Sequence, residues 1–387
     1  MISIMPLPRR RCQEKIKALY FVSSTRHTLT RVECGSFDPR ATGRSNVATM
    51  QDVANLANVS LATVSFTINN SKPVSPKTRA KVEQAMKELN YRRNAVGSAL
   101  ARGRTHVLAL LYPALQHRLS PTSVRFFTSA ADQARLRGYN LVLWPMSNEA
   151  EAVTELTSSG LVDGVVLMEV QLDDPRVTEL SRSNIPFALI GRTRDTTGIP
   201  FVDVNFESAV ETAVDRLIQL GHTNLVLVDG GGGDQLLGGY GPVARTRKAF
   251  GEVTAQRGLS AAIMSGLHSS AGGRDLAKEF AAQHPDTTGV LIMNEHAGPG
   301  FVAGLQQAGY RLPRDISVLA IASSVDTASM AEPEMAVLIS PADELGRLGV
   351  DALIDQIDKK DDPLPQLLIE CTYSPGATMG KAPRKKP

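Results

Sequence analysis

The apolar positions of the chain follow two patterns, and the change between them lies near residue 106. Before it, apolar residues recur at the three- and four-residue spacing of short helices. After it, short continuous apolar runs alternate with helical stretches. Strands that alternate with helices on this scale predict a parallel α/β sheet, whereas a succession of short helices is typical of a small helical domain. The pattern therefore predicts two kinds of domain in one chain.

Three helices are predicted in the first region. Thr49 and Asp52 have the spacing of a capping box, so a helix should begin directly after Thr49. Ser60 can cap a second helix, and Ser75 followed by proline is a strong start for a third. Two short helices joined by a tight turn form the helix-turn-helix unit, whose second helix enters the major groove of DNA. The first region therefore favours a DNA-binding domain.

The second region has too many strand and helix units for one five-stranded sheet, so we predict two similar lobes with a cleft between them. Ligands of such sheets bind beyond the carboxyl ends of the strands. The predicted strands cover 107–112, 141–144, 161–168, 187–190, 201–204, 224–228, 261–264, 289–293, 316–321 and 366–370. The predicted helices cover 122–137, 206–220, 243–257, 273–283, 298–308 and 341–357.

Charge is divided unevenly along the 387 residues. Residues 1–106 carry 18 Lys and Arg against 6 Asp and Glu, and the rest of the chain carries 24 against 33. A basic N-terminal region followed by an acidic remainder indicates that the N-terminal region alone binds nucleic acid. The alternative, a disordered basic tail, explains residues 1–48 but not the patterned helices after them. No apolar run is long enough to predict a membrane span.

Enzyme motifs are absent from the sequence. It contains no GxSxG elbow, no HExxH and no GxxxxGK[ST] phosphate loop. The glycine-rich stretch 230–241 is interpreted as a flexible loop at the mouth of the cleft. Three scattered cysteines, Cys12, Cys34 and Cys371, provide neither a zinc site nor a disulfide framework, which suits a reducing cytoplasm. We expect no enzyme activity, no metal and no cofactor.

The three-helix region resembles the DNA-binding headpiece of the lactose-repressor (LacI/GalR) family. The matching pieces are DVANLANVSLATVS, VSPKTRAKVEQAMKELNY and NAVGSALA, in that order and nearly without gaps. The resemblance implies a helix-turn-helix headpiece, a hinge helix and a two-lobed, periplasmic-binding-protein-like parallel α/β effector domain. The domain bounds are then a disordered basic extension at 1–48, the headpiece at 49–93, the hinge and linker at 94–106, the effector domain at 107–375 and a basic tail at 376–387.

The resemblance implies which headpiece residues contact DNA. Base edges would face Leu61, Ala62 and Phe66, and Phe66 departs from the family, which usually has a guanine-reading arginine there. Phenylalanine can instead contact a thymine methyl group, so we expect an altered operator half-site. The alternative is that Phe66 turns inward as core. Phosphate contacts are implied for Thr49, Ser60, Thr63, Ser65, Asn69, Ser75 and Thr78.

The hinge is predicted from Asn94. In the family, two such segments pair as short helices in the minor groove and wedge a leucine between base steps, a position that Leu100 holds here. Arg93 stands where the family usually has proline, which removes a rigid φ and adds a cation. Residues 1–48 could also act as a basic arm on DNA.

The effector domain resembles that of the family more loosely, through RLIQLGH, ARTRKAF, GVLIMNE and LPRDISVLAI. Arg247 matches an arginine that binds sugar hydroxyls or carboxylates, and its alternative is a surface arginine. Asn294 and Glu295 match a pocket-edge pair, or cap a strand end. Further effector-site candidates are Arg192 at a strand end, Tyr112, which could stack on a ligand or belong to the core, and Ser123.

One departure concerns the ligand. Ala322 stands where the family often has a sugar-binding aspartate, and alanine cannot accept a hydroxyl hydrogen bond. The effector could then be an atypical sugar, an acid recognised by Arg247, or absent. The sequence as a whole predicts a cytoplasmic, effector-controlled repressor that binds a near-palindromic DNA operator as a homodimer, with no membrane partner. The rivals are a solute-binding protein of the periplasmic type and an α/β enzyme with an accessory DNA-binding domain.

Overall fold

The computed structural model describes residues 48–69, 72–91, 104–113, 119–146, 149–230, 239–359 and 363–383. They belong to two compact units that divide at Asn94. The predictions for residues 1–47, for Asn94 and Leu100 in the hinge, for the side chain of Asn69, for most of the glycine-rich loop and for the last four residues lie outside the described residues.

The first unit is the predicted three-helix headpiece. Its capping box is confirmed, because the Thr49 hydroxyl accepts from the Asp52 amide and the Asp52 carboxylate accepts from the Thr49 amide at 2.8 Å. Ser75 caps the third helix by accepting from the Thr78 amide at 3.2 Å. The helices are α1 (Met50–Ala57), α2 (Leu61–Asn69) and α3 (Pro76–Glu88).

A small apolar core holds these helices together. Each helix contributes one to three buried aliphatic side chains, and those of α1 and α3 recur at the spacing of one helical face. The buried set is Val53, Ala54, Ala57, Val64, Val82 and Ala85.

The second unit contains two six-stranded sheets, one in each lobe. The strands are β1 (Val107–Pro113), β2 (Asn140–Met146), β3 (Gly164–Met168), β4 (Phe187–Ile190), β5 (Phe201–Val204), β6 (Asn224–Asp229), β7 (Ser260–Ser265), β8 (Gly289–Ile292), β9 (Ser317–Ser323), β10 (Ala336–Ile339), β11 (Gln366–Ile369) and β12 (Thr372–Ser374). Lobe one has the order β11-β5-β4-β3-β1-β2 and lobe two the order β12-β10-β9-β8-β6-β7.

Every strand pair is parallel except β10 with β12. In each lobe the strand order reverses beside the first strand, so that β1 and β3 flank the switch point of lobe one and β6 and β8 that of lobe two. Such switch points are where doubly wound sheets bind ligands. The predicted two-lobed α/β architecture is confirmed.

Nine helices are described in the second unit. They are α4 (Pro121–Leu136), α5 (Ala150–Ser158), α6 (Pro175–Arg182), α7 (Phe206–Gln219), α8 (Gly241–Gln256), α9 (Ser270–Gln283), α10 (Gly298–Gln307), α11 (Val325–Ala328) and α12 (Ala342–Ile357). No helix in the described part of the chain is long and apolar enough to cross a membrane.

The chain passes between the lobes three times, before α7, before α12 and between β11 and β12. Helix α12 returns to lobe one, where Leu353 and Ile354 join its core. It packs closely on α4 at Gly346, since an added Cβ would lie 2.6 Å from the Phe126 carbonyl oxygen. Lobe one is therefore completed by residues from the end of the chain.

Some secondary-structure elements were predicted with wrong bounds, and others were not predicted. The strand predicted at 161–168 begins only at Gly164, because the Asp163 carboxylate instead accepts from the backbone of Thr105 and His106. The sequence prediction missed α5, α6, α11, β10 and β12. Their apolar runs are short, and α6 is marked only by its cap, Asp174, and the proline after it.

The boundary predicted at 375 was also wrong. Thr378 is fully buried, and its hydroxyl donates to the Val318 carbonyl at 2.7 Å and accepts from the Ala336 amide at 2.9 Å. The Ala382 amide donates to the Leu220 carbonyl at 2.8 Å. The described residues after 375 are thus part of lobe two, because their hydrogen bonds complete its sheet and helix ends.

Candidate functional site

The residues predicted to contact bases lie along α2. Leu61, 46% exposed, and Ala62 lie at its exposed start. Ser60 caps the helix by accepting from the Thr63 amide at 3.1 Å. The inward positions of α2 are instead taken by Val64 and Thr67. The helix therefore presents its first turn outward.

Phe66 is half-buried and does not belong to the described headpiece core. The ammonium nitrogen of Lys72 lies 5.0 Å from the centroid of its ring, a cation–π arrangement. The inward alternative for Phe66 is thus not the arrangement observed. Its contact with DNA remains a prediction.

The candidates for phosphate contacts lie at helix starts or along α2. Thr49 and Ser75 are exposed, and each caps the helix that follows it. Thr63, Ser65 and Thr78 are half-buried. Capping hydroxyls and free amide groups at helix N-termini are suited to binding phosphate. The structure thus places these side chains where such contacts are possible, without testing them.

A cavity of about 200 Å³ lies between the lobes, at the carboxyl ends of the strands. Four of the six predicted effector-site residues line it: Tyr112 and Ser123 from lobe one, and Asn294 and Glu295 after β8 in lobe two. Arg192 and Arg247 are not among its described lining residues. Ala322, the departure noted in the sequence, does line it.

The two lobe-two residues are engaged by the protein itself. The Asn294 amide donates to the carbonyls of Gly266 and Leu267 at 3.3 and 3.4 Å, and its oxygen accepts from the Ala297 amide at 3.2 Å. Asn294 is 2% exposed, so this hydrogen bonding fixes its orientation. The strand-end cap is therefore the role the structure shows for Asn294.

Glu295 joins the two lobes. Its Oε1 accepts from the Thr122 hydroxyl of α4 at 2.8 Å, and from the hydroxyls of Ser324 at 2.9 Å and Thr327 at 2.7 Å in lobe two. One carboxylate oxygen therefore holds groups from both sides of the cleft.

Tyr112 is buried and packs edge-on against Phe127, with 5.0 Å between ring centroids. Its hydroxyl hydrogen-bonds to Ser123 and to Glu169, and burial raises the pKa of Tyr112 above its usual range. Ser123 in turn lies 3.0 Å from the Ser120 hydroxyl. The ring of Tyr112 thus packs in the core, and its hydroxyl group is part of the cavity wall.

Both candidate arginines are paired with acids. Arg247 contacts the buried Asp229 through Nε and Nη2, and its Nη2 donates to the Ser265 hydroxyl at 2.7 Å. Arg192 donates to Glu207 at 2.7 Å and lies 3.3 Å from Asp203. These ion pairs account for the two arginines without a ligand, because Asp229 and Asp203 are buried and need a positive partner.

Sequence reasoning missed several lining residues, among them Glu169, Asp203, Tyr240 and His268. Glu169 directly follows β3, and Asp203 lies near the end of β5. The rule that ligands bind beyond carboxyl ends could have identified both. Burial raises the pKa of Glu169 to about 8. The cavity therefore contains an acid that the resemblance alone did not indicate.

Comparisons with known proteins agree with this arrangement. Residues 49–94 match the model of bacterial regulatory proteins of the lacI family, and residues 214–379 match that of the periplasmic binding protein-like domain. The regulator AglR of Rhizobium meliloti is 30% identical over 295 residues, which cover 74% of this chain and 80% of AglR. Catabolite control protein A of Priestia megaterium is 26% identical, with coverages of 82% and 96%.

Two solved structures have the same architecture. The lac repressor dimer bound to operator and an anti-inducer superposes with a TM-score of 0.76 at 23% identity, covering 86% of this chain and 99% of that one. The complex of the regulator CelR with cellobiose gives a TM-score of 0.63 at 25% identity, with coverages of 86% and 99%.

A helix-turn-helix headpiece joined to a two-lobed domain with an internal cavity defines a DNA-binding transcription regulator controlled by a small molecule. The chain belongs to the lacI family of bacterial regulatory proteins, which are regulators and not enzymes. The predicted class of protein is confirmed.

Proposed function

We propose that this regulator is a repressor that binds a near-palindromic operator as a homodimer, and that a sugar or related metabolite in the cleft sets its DNA affinity. The observation that carries the proposal is the Glu295 contact across the cleft. A ligand beside this carboxylate would favour one lobe arrangement over another. Differential affinity for two arrangements is the thermodynamic requirement for allosteric control.

The relatives support a sugar as effector. One related structure is a complex with cellobiose, and a ribose operon repressor of Escherichia coli K12 is 28% identical, with coverages of 80% and 93%. The cleft agrees with this class, since hydroxyl, carboxyl and aromatic side chains line it together. Tyr112, Ser123 and Glu295 are the predicted residues that we retain as effector contacts. The protein would act in the cytoplasm, where its DNA lies.

Base reading is assigned to the exposed start of α2. Leu61 and Ala62 are available for apolar contacts, and Phe66 would meet a thymine methyl group where the family usually reads guanine. Thr49, Ser60 and Ser75 at helix starts would position the headpiece on phosphates. The operator half-site should therefore differ from the family pattern at the position that Phe66 faces.

DNA binding is tested by fluorescence anisotropy with fragments of the upstream genomic region. Wild-type protein should bind one fragment saturably at nanomolar to micromolar concentration, and affinity should fall steeply with salt. Replacement of Leu61 by Ala should reduce the preference for that fragment over random DNA about tenfold, as expected for a lost base contact. Lys278→Ala, an exposed residue of lobe two, is the control. Salt-insensitive binding, or no binding to any fragment, would contradict the proposal.

A further inference from the structure

The cleft has an acidic character that the proposed function does not by itself require. Three carboxyl side chains line it, those of Glu169, Asp203 and Glu295. No lysine or arginine is found among its described lining residues. The described lining therefore offers carboxyl acceptors and no lysine or arginine, and its basic side chains are the imidazoles of His268 and His296.

Two of these acids already have partners. Asp203 lies 3.3 Å from Arg192 and 3.9 Å from Arg245, so its charge is compensated from behind the cavity wall. Glu295 accepts the three hydroxyl hydrogen bonds that join the lobes. The Oδ2 of Asp203 is buried without a hydrogen-bond partner among the described residues, but two arginines compensate its charge, whereas Glu295 is hydrogen-bonded.

Glu169 differs from Asp203, because its side chain forms no ion pair among the described residues. Its Oε2 is shielded from solvent and has no hydrogen-bond partner among the described residues. The charged and titratable groups that face it are Tyr112 from β1, Arg176 from α6 and Tyr240 at the start of α8. An unsatisfied buried acceptor is destabilising, and a ligand that donates a hydrogen bond to it would remove that cost.

The nearby arginine does not satisfy that oxygen. Arg176 is fully buried and donates to both carboxylate oxygens of Asp174, at 2.9 and 2.7 Å. Towards Glu169 it donates only to the backbone carbonyl, at 2.9 Å. This contact fixes the backbone of Glu169, which has a φ of 52°. The side chain is thus held on the cavity wall by its backbone, with one carboxyl oxygen available.

We propose that Glu169 recognises the effector by accepting a hydrogen bond from it, so that the cleft takes a small hydroxyl- or ammonium-bearing polyol and excludes sugar phosphates and sugar acids. The inference rests on the proposed effector function and names the ligand class of that site. Glu169 and Tyr112 flank the switch point of lobe one, where a ligand would contact both.

Anions are disfavoured by desolvation. A phosphate or carboxylate in this cavity would lie beside the carboxyl groups of Glu169 and Glu295 and would lose its hydration without gaining a lysine or arginine among the described lining residues. The guanidinium groups of Arg192 and Arg247 are bound to Glu207 and Asp229, which are not among the described lining residues, and Arg192 also lies beside Asp203. We therefore reject the alternative, left open by the sequence, that the effector is an acid recognised by Arg247.

The test is calorimetric titration of the full-length protein, without DNA, with probes that differ in charge. The probes are glucose, glucosamine, glucose 6-phosphate and gluconate, then ribose and ribose 5-phosphate, then cellobiose and cellobionate. We expect a neutral or amino member to bind and its anionic counterpart to bind at least about tenfold more weakly, the equivalent of one lost buried hydrogen bond.

Two substitutions assign the effect to Glu169. Glu169→Leu removes the acceptor and should weaken the bound probe about tenfold or more, whereas Glu169→Gln keeps an acceptor without the charge. A neutral probe should therefore tolerate Gln within about threefold, while an amino probe should lose about tenfold. Glu155→Leu, an exposed acid on α5, is the matched control, and thermal unfolding verifies that each variant is folded.

Three outcomes would overturn the proposal. Only an anionic probe binds, or wild type and Glu169→Leu bind the same probe with equal affinity, or no probe of the panel binds. Failure of the proposed function is distinguishable, because it appears as absent operator binding, or as operator binding that a bound probe does not change, in the separate DNA titration.

Discussion

The two walls of the cleft are built alike and used differently. Each lies at the switch point of a parallel sheet, with the chain leaving the strands towards the cavity. On the lobe-two wall, Asn294 and Glu295 make their hydrogen bonds to the protein itself. On the lobe-one wall, Glu169 keeps an oxygen without a partner among the described residues.

The difference separates two tasks that a regulator must perform. A wall whose polar groups are satisfied keeps its shape with or without ligand, and through Glu295 it holds the opposite lobe. A wall with an unsatisfied acceptor gains stability when a ligand supplies the donor. If the proposed effector site is right, lobe one selects the ligand and lobe two sets the position of the lobes.

The largest expected effect tests the support behind the lobe-one wall. Arg176→Leu should destabilise the protein by about 3–5 kcal/mol, because it leaves the buried Asp174 without its positive partner. Urea unfolding monitored by circular dichroism gives the free energy of unfolding. Arg182→Leu, at the exposed end of the same helix, should change it by roughly 0.5 kcal/mol or less. Equal losses in the two variants would contradict a structural role for the buried ion pair.

A smaller effect tests the lobe-one acid itself. Burial raises the pKa of Glu169 to about 8, from an ordinary value of 4.5. Between these values the unfolded chain is ionised and the folded chain protonated, so this group makes stability fall as pH rises. Glu169→Gln removes that loss and should gain on the order of 2 kcal/mol over wild type between pH 5 and pH 8.5, measured by urea unfolding at each pH.

The control for this pH series is Glu155→Gln, on the exposed face of α5. Its difference from wild type should stay constant across the same pH range. If the Glu169→Gln difference is equally constant, the lobe-one acid is not held in a desolvated wall, and the contrast between the two walls fails.

The smallest effect concerns the connection between the walls. Thr122→Val removes the lobe-one donor to Glu295 and should cost about 1 kcal/mol, the net value of one hydrogen bond. Small-angle scattering should show a larger radius of gyration, since the lobes lose a contact. Thr128→Val, exposed on the same helix and bonded only to α4 backbone, should leave the scattering profile unchanged. An unchanged profile in Thr122→Val would remove Glu295 as a lobe connector.

The headpiece could be predicted from sequence because its signals are local. The capping pair Thr49 and Asp52 lies three residues apart, and the Ser75 cap precedes its own helix. Most strands of the effector domain could be predicted for a similar reason, since a buried parallel strand is a continuous apolar run. The missed β10 and β12 are short, and an isolated apolar run of four residues does not distinguish a strand from a loop or a helix.

The site was harder because its residues come from distant parts of the chain. Tyr112 and Glu169 become neighbours only when β1 pairs with β3. The sequence places Arg247 near the start of a predicted helix, but it does not show that Asp229 and Ser265 already bind this arginine. Whether a polar side chain is free or satisfied is a property of the assembled fold, and this is what decides the role of each candidate.

The interleaving of the lobes bears on synthesis of the protein. A nascent chain that ends after β10 already carries five strands of lobe one, yet it lacks α12, whose Leu353 and Ile354 cover their apolar side. The aliphatic surface of lobe one therefore stays exposed until lobe two has been translated. Ribosome-bound intermediates of this length are the species that chaperones should hold, and full protease resistance should be acquired only when the last strands emerge.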